Sequence, residues 1–301
     1  MSESTRAPRG GFADPDALAA ALTTVGYLPD EGLTTAAYLA LVLRRPLLLE
    51  GEAGVGKTAL ARALADVTGR PLYRLQCYEG LEASQALYDW DFGRQLLHLR
   101  AAETASATGD AVALEASLYD RRFLLARPLL QALEDSPSVL LVDEIDRADD
   151  EFEAFLLEVL SEFTISIPEL GTVRAEVPPL VVLTSNRTRE VHDALKRRCL
   201  YHWVEHPDPE REVAILRARL PEVTERLARA VAGATAALRR LDLLKPPGIA
   251  EAMDWAQALS ALGARDSFDA DLAGRTLGAV LKYREDVDRV RALGPGAFSD
   301  G

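Results

Sequence analysis

Residues 51–58 read GEAGVGKT, a glycine-rich loop with the spacing G-x-x-x-x-G-K-[ST], and this loop constrains the fold more than any other feature. It follows a short apolar run, Leu47 to Leu49, that predicts a buried strand. It precedes TALARALADVTG, whose apolar residues recur on one helical face. A strand, a glycine loop and a helix in this order predict a β-α unit that binds phosphate groups through backbone N–H groups.

The residues of this loop have distinct expected roles. Its glycines let the backbone approach phosphate oxygens, Lys57 reaches the β and γ phosphates, and the Thr58 hydroxyl ligates Mg²⁺. A chance match in a glycine-rich segment is the alternative, and the flanking strand and helix disfavour it. The residues expected to contact the nucleotide are Gly51, Glu52, Ala53, Gly54, Val55, Gly56, Lys57, Thr58 and Ala59.

A second motif, VLLVDEID, occupies residues 139–146. Its apolar residues predict a central strand, and Asp143 and Glu144 follow at the C-terminal end, where ligands bind in open α/β sheets. We expect Asp143 to hold Mg²⁺ through water and Glu144 to orient or deprotonate an attacking water. The alternative is that both carboxylates cap the next helix. The glycine loop upstream favours the metal site.

Two further segments carry polar residues of interest. LTSN ends a predicted strand on Asn186, whose amide could reach the same water or the γ-phosphate, although an Asx turn is an equally ordinary use of asparagine there. DALKRRC places Lys196, Arg197 and Arg198 side by side. Basic residues at a helix end face its negative pole, so a helix cap is a sufficient explanation of this cluster by itself.

The order of strands and helices predicts an α/β fold. PLYRLQC, SVLLVDE, PLVVLTSN and LYHWVE read as buried strands that alternate with helices, which indicates a mostly parallel sheet covered on both faces. The later part of the chain is rich in Ala, Leu and Arg and gives no strand signal. The predicted regions are a flexible tail at 1–26, a nucleotide-binding domain at 27–206 with an insert at about 78–127 and a hairpin at about 164–179, and a helical domain at 207–301.

Composition limits the classes of partner. The net charge of −13 opposes general attraction to nucleic acids or anionic membranes, so we expect neither as a partner. Cys77 and Cys199 lie far apart with no paired spacing, which argues against a disulfide framework or a cysteine-rich metal site. No apolar run is long enough to cross a bilayer, and a secretory signal is lacking. These features predict a cytoplasmic protein.

Together these motifs resemble an AAA+ ATPase module: a P-loop, VDEID, TSN, a helix with a basic end, and a C-terminal helical domain. The insert and the hairpin resemble those of the MoxR-type branch. The CoxD-type subgroup, associated with carbon monoxide dehydrogenase and related molybdenum hydroxylases, is the most similar in several segments. These are CYEGLEASQALYDWDFGRQLLHLRAAE, DEFEAFLLEVL, SIPELGTVRA, LTSNRTREVHDALKRRCLYHW and KYRED.

The resemblance implies a fold, cofactors and residue roles. The fold is an AAA+ parallel sheet sandwiched by helices with a C-terminal all-α lid, and the cofactors are ATP and Mg²⁺. Asn186 takes the sensor-1 role, and Arg198 that of the arginine finger, inserted into a neighbouring subunit's site, with Arg197 as second candidate. One departure is that KPPGIAEAMDWAQAL lacks the arginine that MoxR-like lids usually place after the proline.

The resemblance also implies partners: a homo-oligomer, expected to be a hexamer, a protein client of the molybdenum hydroxylase class, and an adaptor with a von Willebrand factor A domain. The predicted function is therefore ATP-driven remodelling of a protein client during maturation of its metal centre. A second hypothesis is a regulatory module that switches a partner by ATP occupancy with little turnover. DNA remodelling fits poorly with the acidic charge.

Overall fold

The computed structural model describes residues 11–105, 111–265 and 270–298. Its strands are β1 (Leu47–Glu50), β2 (Leu72–Gln76), β3 (Tyr88–Trp90), β4 (Leu124–Ala126), β5 (Val139–Asp143), β6 (Thr164–Ile167), β7 (Gly171–Arg174), β8 (Leu180–Ser185) and β9 (Leu200–Trp203). Its helices are α1 (Pro15–Thr24), α2 (Glu31–Leu43), α3 (Lys57–Thr68), α4 (Ala83–Leu87), α5 (Phe92–Ala105), α6 (Ala111–Leu118), α7 (Pro128–Glu134), α8 (Asp150–Glu162), α9 (Asp193–Arg198), α10 (Pro209–Arg219), α11 (Glu225–Arg239), α12 (Ile249–Ala261), α13 (Ala270–Val280) and α14 (Arg284–Leu293).

Five strands form one sheet in the order β2-β5-β8-β1-β9. β5 pairs in parallel with β2 on one side and with β8 on the other, so that Val139 lies between Leu72 and Leu180. Every residue of β5 and β8 is buried, as expected for central strands whose two faces are both covered. The parallel sheet flanked by helices, predicted from the alternation of strands and helices, is confirmed.

The chain divides into two compact units. The first unit contains residues 36–49 and 64–202, and the second contains residues 12–35, 50–63 and 203–301. The core of the first unit joins β2, β5 and β8 to the apolar faces of α7 and α8, with Leu130, Phe152 and Leu156 among its buried side chains. The glycine loop lies in the second unit, together with the C-terminal helices, whereas VLLVDEID lies in the first.

The long segment after β2 has secondary structure of its own. It contains α4, α5 and α6, and its ends are joined by an antiparallel pair of β3 and β4 in which Tyr88 lies opposite Ala126. A second antiparallel pair, β6 and β7, places Ile165 opposite Val173 in the segment where the sequence predicts a hairpin. Both additions belong to the first unit.

The N-terminal region corrects one prediction. Residues 15–24, assigned to a flexible tail that reached residue 26, form helix α1, and the tail assignment is wrong there. Asp14 caps this helix by accepting from Ala17 N, Pro15 occupies the first turn, and Leu18 and Leu22 are fully buried one turn apart. Residues 1–10 of the predicted tail lie outside the described residues.

The C-terminal helices α10 to α14 pack around Trp255, which is fully buried and donates through its indole N–H to Thr276 at 2.8 Å. A buried ion pair joins Arg239 on α11 to Glu212 on α10, with contacts of 2.7 and 2.9 Å. The described residues after β9 contain no strand. No helix in the described part of the chain is both long enough and apolar enough to cross a membrane.

Candidate functional site

The glycine loop of the second unit is closed by its own lysine. Lys57 begins α3, and its Nζ donates to the carbonyl oxygens of Gly51 at 2.7 Å and Glu52 at 2.6 Å. The residue is only 6% exposed, and an ammonium that is buried to this extent requires polar partners. Lys57 therefore stays at the loop, where its positive charge can attract phosphate oxygens. Thr58, the next residue, is exposed.

The start of α12 contacts this loop through backbone atoms. Ile249 N donates to Gly54 O at 3.0 Å, and Gly54 has φ +82°, a conformation that favours glycine. A Cβ on Gly248 would lie 2.8 Å from the Gly54 Cα, so only glycine fits at this approach. The first turn of α12 contains no arginine. The segment that contacts the loop here therefore offers it backbone atoms and no arginine side chain.

Two residues beside the loop have no local sequence signal. His206 Nε2 lies 3.0 Å from Glu52 Oε2, and the Tyr27 hydroxyl donates to Gly56 O at 3.5 Å. Burial raises the pKa of Tyr27, so the hydroxyl keeps its proton and remains a donor. Both contacts join residues that are far apart along the chain, and pattern-based analysis therefore missed them.

Asp143 ends β5 in the first unit and is 3% exposed. Its Oδ1 accepts from the Thr184 hydroxyl at 2.5 Å. Its Oδ2 accepts from Arg74 Nε at 3.0 Å and from Arg74 Nη2 at 2.6 Å. Arg74 lies on β2, two residues before the position paired with Asp143, so the two side chains share one face of the sheet. The guanidinium thus supplies a positive charge to a carboxylate that is nearly enclosed.

Glu144 occupies a left-handed backbone conformation, with φ 57° and ψ 51°, which is uncommon outside glycine and is often found at functional sites. Its N–H donates to the Thr184 hydroxyl at 2.9 Å. Its carboxylate accepts from Arg147 Nε at 3.0 Å, and the side chain is about one third exposed. Glu144 stands at the N-cap position of a short 3₁₀ turn, Ile145–Arg147, but its side chain makes no capping hydrogen bond, and its carboxylate remains accessible.

Asn186 follows β8 and is held by an acidic residue that sequence analysis left unassigned. Asn186 N donates to Asp146 Oδ1 at 3.2 Å, while the Thr188 N–H and hydroxyl donate to Asp146 Oδ2 at 2.9 and 2.7 Å. Asp146 is 3% exposed. It fixes the loop after β8 relative to the end of β5. Its place in VLLVDEID was visible, but its partners lie forty residues away in sequence.

The two cysteines are both buried, Cys77 after β2 and Cys199 after α9. Cys77 N donates to the Asp143 carbonyl at 2.8 Å, which continues the pairing of β2 with β5. Burial raises the pKa of each thiol to about 12, and the Asp143 charge adds to the effect at Cys77. Both side chains are therefore neutral at ordinary pH and act as small apolar residues.

Arg197 and Arg198 end α9 and are both exposed. Arg198 Nη2 donates to Ser161 O at 2.6 Å, whereas the Arg197 side chain has no hydrogen-bond or ion-pair partner among the described residues. Together with Arg44 and Arg45 they line a cavity of about 280 Å³, which we call the arginine pocket. Its remaining wall consists of Pro46, Leu160 and Phe163.

The structure places the predicted residues at three locations. Gly51, Glu52, Gly54 and Lys57 form the loop of the second unit, and Asp143, Glu144 and Asn186 follow neighbouring strands of the first. Arg197 and Arg198 lie in the arginine pocket of the first unit. Ala53, Val55, Gly56, Thr58 and Ala59 occupy the loop or the start of α3, as their sequence positions require.

Solved structures of the Thermotoga maritima RuvB Holliday junction branch migration motor are similar: one is 16% identical over 85% of this chain and 67% of that chain, with a TM-score of 0.45. A mutant of the same motor is 17% identical over 91% of this chain and 74% of that chain, with a TM-score of 0.48. No curated protein matches the sequence. The model of the AAA domain, dynein-related subfamily, matches residues 46–199, about half of the chain, and the protein therefore belongs to this family of AAA domains.

Proposed function

We propose that this protein hydrolyses ATP and uses the energy to remodel a protein partner. The observation that carries hydrolysis is the end of β5, where Glu144 stands in a left-handed backbone conformation next to the nearly enclosed Asp143. A carboxylate that is held beside a metal ligand and remains accessible can orient a water and accept its proton. The glycine loop with its folded-back Lys57 provides the phosphate-binding part.

The donor groups fit a divalent cation. The Thr58 hydroxyl and the Asp143 carboxylate are hard oxygen donors, the type that Mg²⁺ prefers, and we assign both to it. When bound, Mg²⁺ neutralises charge on the phosphates. Lys57 holds the β and γ phosphates, Glu144 orients the water, and the Asn186 amide is assigned to the same water or to the γ-phosphate. Asp146 keeps the Asn186 backbone in place.

We assign Arg198, with Arg197 as second candidate, to the site of a neighbouring subunit in a ring, for which a hexamer is our proposal. Support comes from the exposure of both residues and from the arginine pocket, which has no carboxylate in its wall. Arg198 is docked on Ser161 O and must leave that carbonyl to reach another chain, whereas Arg197 needs no such release. Arg197 and Arg198 are therefore to be replaced one at a time, and the turnover of each variant compared.

The resemblance to MoxR-type ATPases of the CoxD subgroup supports a more specific proposal. The client is a molybdenum hydroxylase such as carbon monoxide dehydrogenase, remodelled while its metal centre is completed, and the adaptor contains a von Willebrand factor A domain. The test is ATPase turnover with and without a purified molybdenum hydroxylase in its immature form. A third sample contains an unrelated folded protein in place of the client. Stimulation by the client alone supports the assignment, and equal turnover in all three samples contradicts it.

A second candidate function is an ATP-occupancy switch with little turnover. Two observations favour it: Glu144 is paired with Arg147, and the first turn of α12 offers no arginine to the nucleotide. A switch binds ATP as tightly as an ATPase does but changes its partner without hydrolysis. Single-turnover measurement therefore separates the two functions, because only an ATPase converts bound ATP to ADP on the time scale of partner remodelling.

The decisive experiment compares wild-type protein with Glu144→Gln. We expect the variant to bind ATP with unchanged affinity and to lose about 10²- to 10⁴-fold in turnover, the usual contribution of a general base. Glu151→Gln, the same change at an exposed position on α8, is the control and keeps wild-type turnover. Full turnover of Glu144→Gln would remove Glu144 from the proposed role.

A further inference from the structure

Arg45 makes the most extensive contacts in the arginine pocket. Its Nε donates to Arg198 O at 3.2 Å, and its Nη2 lies within hydrogen-bond distance of three carbonyl oxygens, those of Arg197 at 2.9 Å, Arg198 at 3.1 Å and Cys199 at 3.2 Å. One guanidinium thus binds the backbone of three consecutive residues. These residues are the end of α9 and the first residue after it.

The short helix α9 depends on such an anchor. It has six residues, and a helix of this length is not stable by itself. Its last carbonyl groups also lack partners within the helix. Arg45 supplies donors to them and places a positive charge at the negative end of the helix dipole. Leu195 anchors the helix in the core of the first unit, and Arg45 adds a second anchor at its end, which constrains the direction in which Arg197 and Arg198 leave the backbone.

Arg45 is itself firmly placed. It stands between the end of α2 and β1, next to Pro46, whose carbonyl accepts from Leu200 N at 2.7 Å. The preceding residue, Arg44, has φ 54°, which turns the chain sharply after the helix. Arg45 and the carbonyl of Pro46 thus connect the start of β1 to the segment that joins α9 to β9. The sheet, through these contacts, holds the end of α9.

The charge in the pocket indicates an external anion. Four guanidinium groups line it, and none of them has a carboxylate partner among the residues that the structure describes. Burial lowers the pKa of the neighbouring Arg70, and the charge of Arg44 lowers it further. All four arginines are exposed, so an anionic group of another molecule can reach this positive charge and is attracted by it.

We propose that Arg45 is a positioning residue that orients Arg198 and Arg197 toward the ATP of a neighbouring subunit. It acts through the carbonyl groups at the end of α9 and does not contact the nucleotide. This inference rests on the proposed function, because it requires that an arginine of α9 acts on a second copy of the chain. It adds a residue from the connection between α2 and β1 to a role that sequence motifs assign to α9 alone.

Single variants give the first measurement. Arg45→Ala removes all four contacts, and Arg45→Lys keeps the charge but loses the planar fork that binds several carbonyls together. A displacement of about 1 Å at a reacting group can cost ~10²-fold in rate, so we expect turnover at saturating ATP to fall about 10- to 100-fold in both. ATP affinity and assembly remain at wild-type values. Arg226→Ala, an exposed arginine on α11, is the matched control and keeps full turnover.

Mixed rings distinguish positioning in trans from a structural defect. Arg45→Ala chains keep an intact Glu144, and Glu144→Gln chains keep an intact α9. When both chains are co-expressed with different tags and purified as one complex, a Glu144→Gln neighbour supplies a correctly placed arginine to an Arg45→Ala site. In a head-to-tail ring, random mixing restores about one quarter of the sites. Recovery of turnover from two nearly inactive chains supports the inference, since a variant that is merely unstable cannot be rescued in this way.

A reference mixture separates failure of the inference from failure of the proposed function. Arg198→Ala with Glu144→Gln recovers turnover if an arginine of α9 acts in trans, whatever the role of Arg45. Recovery in the reference but not in the Arg45→Ala mixture overturns the inference and leaves the proposed function intact. No recovery in either mixture refutes the trans role and the inference together. If Arg45→Ala does not fold, the Arg45→Lys mixture gives the same readings.

Discussion

The C-terminal ends of β5 and α9, both in the first unit, carry opposite charges and satisfy them in different ways. At the end of β5, Asp143 is paired with Arg74 and Glu144 with Arg147, so each carboxylate has a cation from its own chain. At the end of α9, Arg198 and Arg45 donate only to carbonyl oxygens. The acidic end is compensated internally, whereas the arginines at the basic end have no carboxylate partner among the described residues.

This difference indicates which end is complete within one chain. A nearly enclosed carboxylate without a cation is costly, so Arg74 allows Asp143, the proposed metal ligand, to remain buried when no metal is bound. Carbonyl oxygens solvate a guanidinium but do not cancel its charge. The arginine pocket therefore attracts an anion, and in the proposed ring that anion is the phosphate of a neighbouring nucleotide.

The largest expected effect in this comparison is at the basic end. Arg198→Ala should bind ATP and assemble as the wild type does, but lose about 10³-fold or more in turnover, as for an arginine that stabilises the transferring phosphate. Steady-state ATPase measurements on the assembled protein check this. Arg197→Ala is measured beside it, and the larger loss identifies the residue that reaches the neighbour.

Lys196→Ala provides the control on the same helix. Lys196 pairs with Glu190 on the surface at 2.5 Å, and removal of such an exposed pair has little effect. If Arg198→Ala, Arg197→Ala and Lys196→Ala lose turnover to the same small extent, the basic cluster only caps α9. The contrast between the acidic end of β5 and the basic end of α9 then has no functional meaning. The helix-cap explanation offered by the sequence would then be sufficient.

The sequence predicted the parts of this site that depend on local patterns. The glycine loop and Asn186 each follow a strand, and the acidic pair of Asp143 and Glu144 lies at the end of β5. An apolar run with a polar end is readable from neighbouring residues. Helix α1 was missed because the polar residues before position 15 led to the prediction of a tail that also included Leu18 and Leu22. Asp14 and Pro15 are, however, ordinary residues for the start of a helix.

The residues that support the site were not predictable in the same way. Arg74 contacts Asp143 across two strands, Asp146 holds the loop after β8, and Arg45 binds carbonyls more than 150 residues away in sequence. Each of these contacts depends on which strands become neighbours. Arg45 also lies in LRRP, where two arginines at a helix end have an adequate local explanation.

A smaller effect, on stability rather than on turnover, is expected at the acidic end. Arg74→Gln leaves the enclosed Asp143 carboxylate without its cation, and we expect the free energy of unfolding in metal-free buffer to fall by about 1 to 2 kcal/mol, a modest value because Arg74 is half exposed. Thermal or urea unfolding checks this. Mg²⁺ with ATP should reduce the difference in free energy of unfolding between Arg74→Gln and the wild type, because Mg²⁺ supplies another cation to Asp143.

Arg127→Gln is the matched control for this measurement. Its guanidinium pairs with Asp89 at 3.4 Å, and both side chains are about half exposed, so its loss should change stability by less than about 0.5 kcal/mol. Equal losses in the two variants, or a loss in Arg74→Gln that Mg²⁺ and ATP do not reduce, would contradict the view that Arg74 compensates the charge of Asp143, the proposed metal ligand.

The smallest expected effect is at Arg147, which pairs with Glu144 across one turn. Both side chains are partly exposed, and such a pair contributes about 0.2 to 1 kcal/mol. Arg147→Gln releases the Glu144 carboxylate, so turnover should rise, by at most about fivefold for that energy. Salt of about 0.5 M screens the pair in the wild type, and the two proteins should then approach the same turnover. A fall of tenfold or more in Arg147→Gln would instead show that Arg147 belongs with the arginines of α9, as a cation that acts on phosphate, and the contrast between the two ends would have to be abandoned.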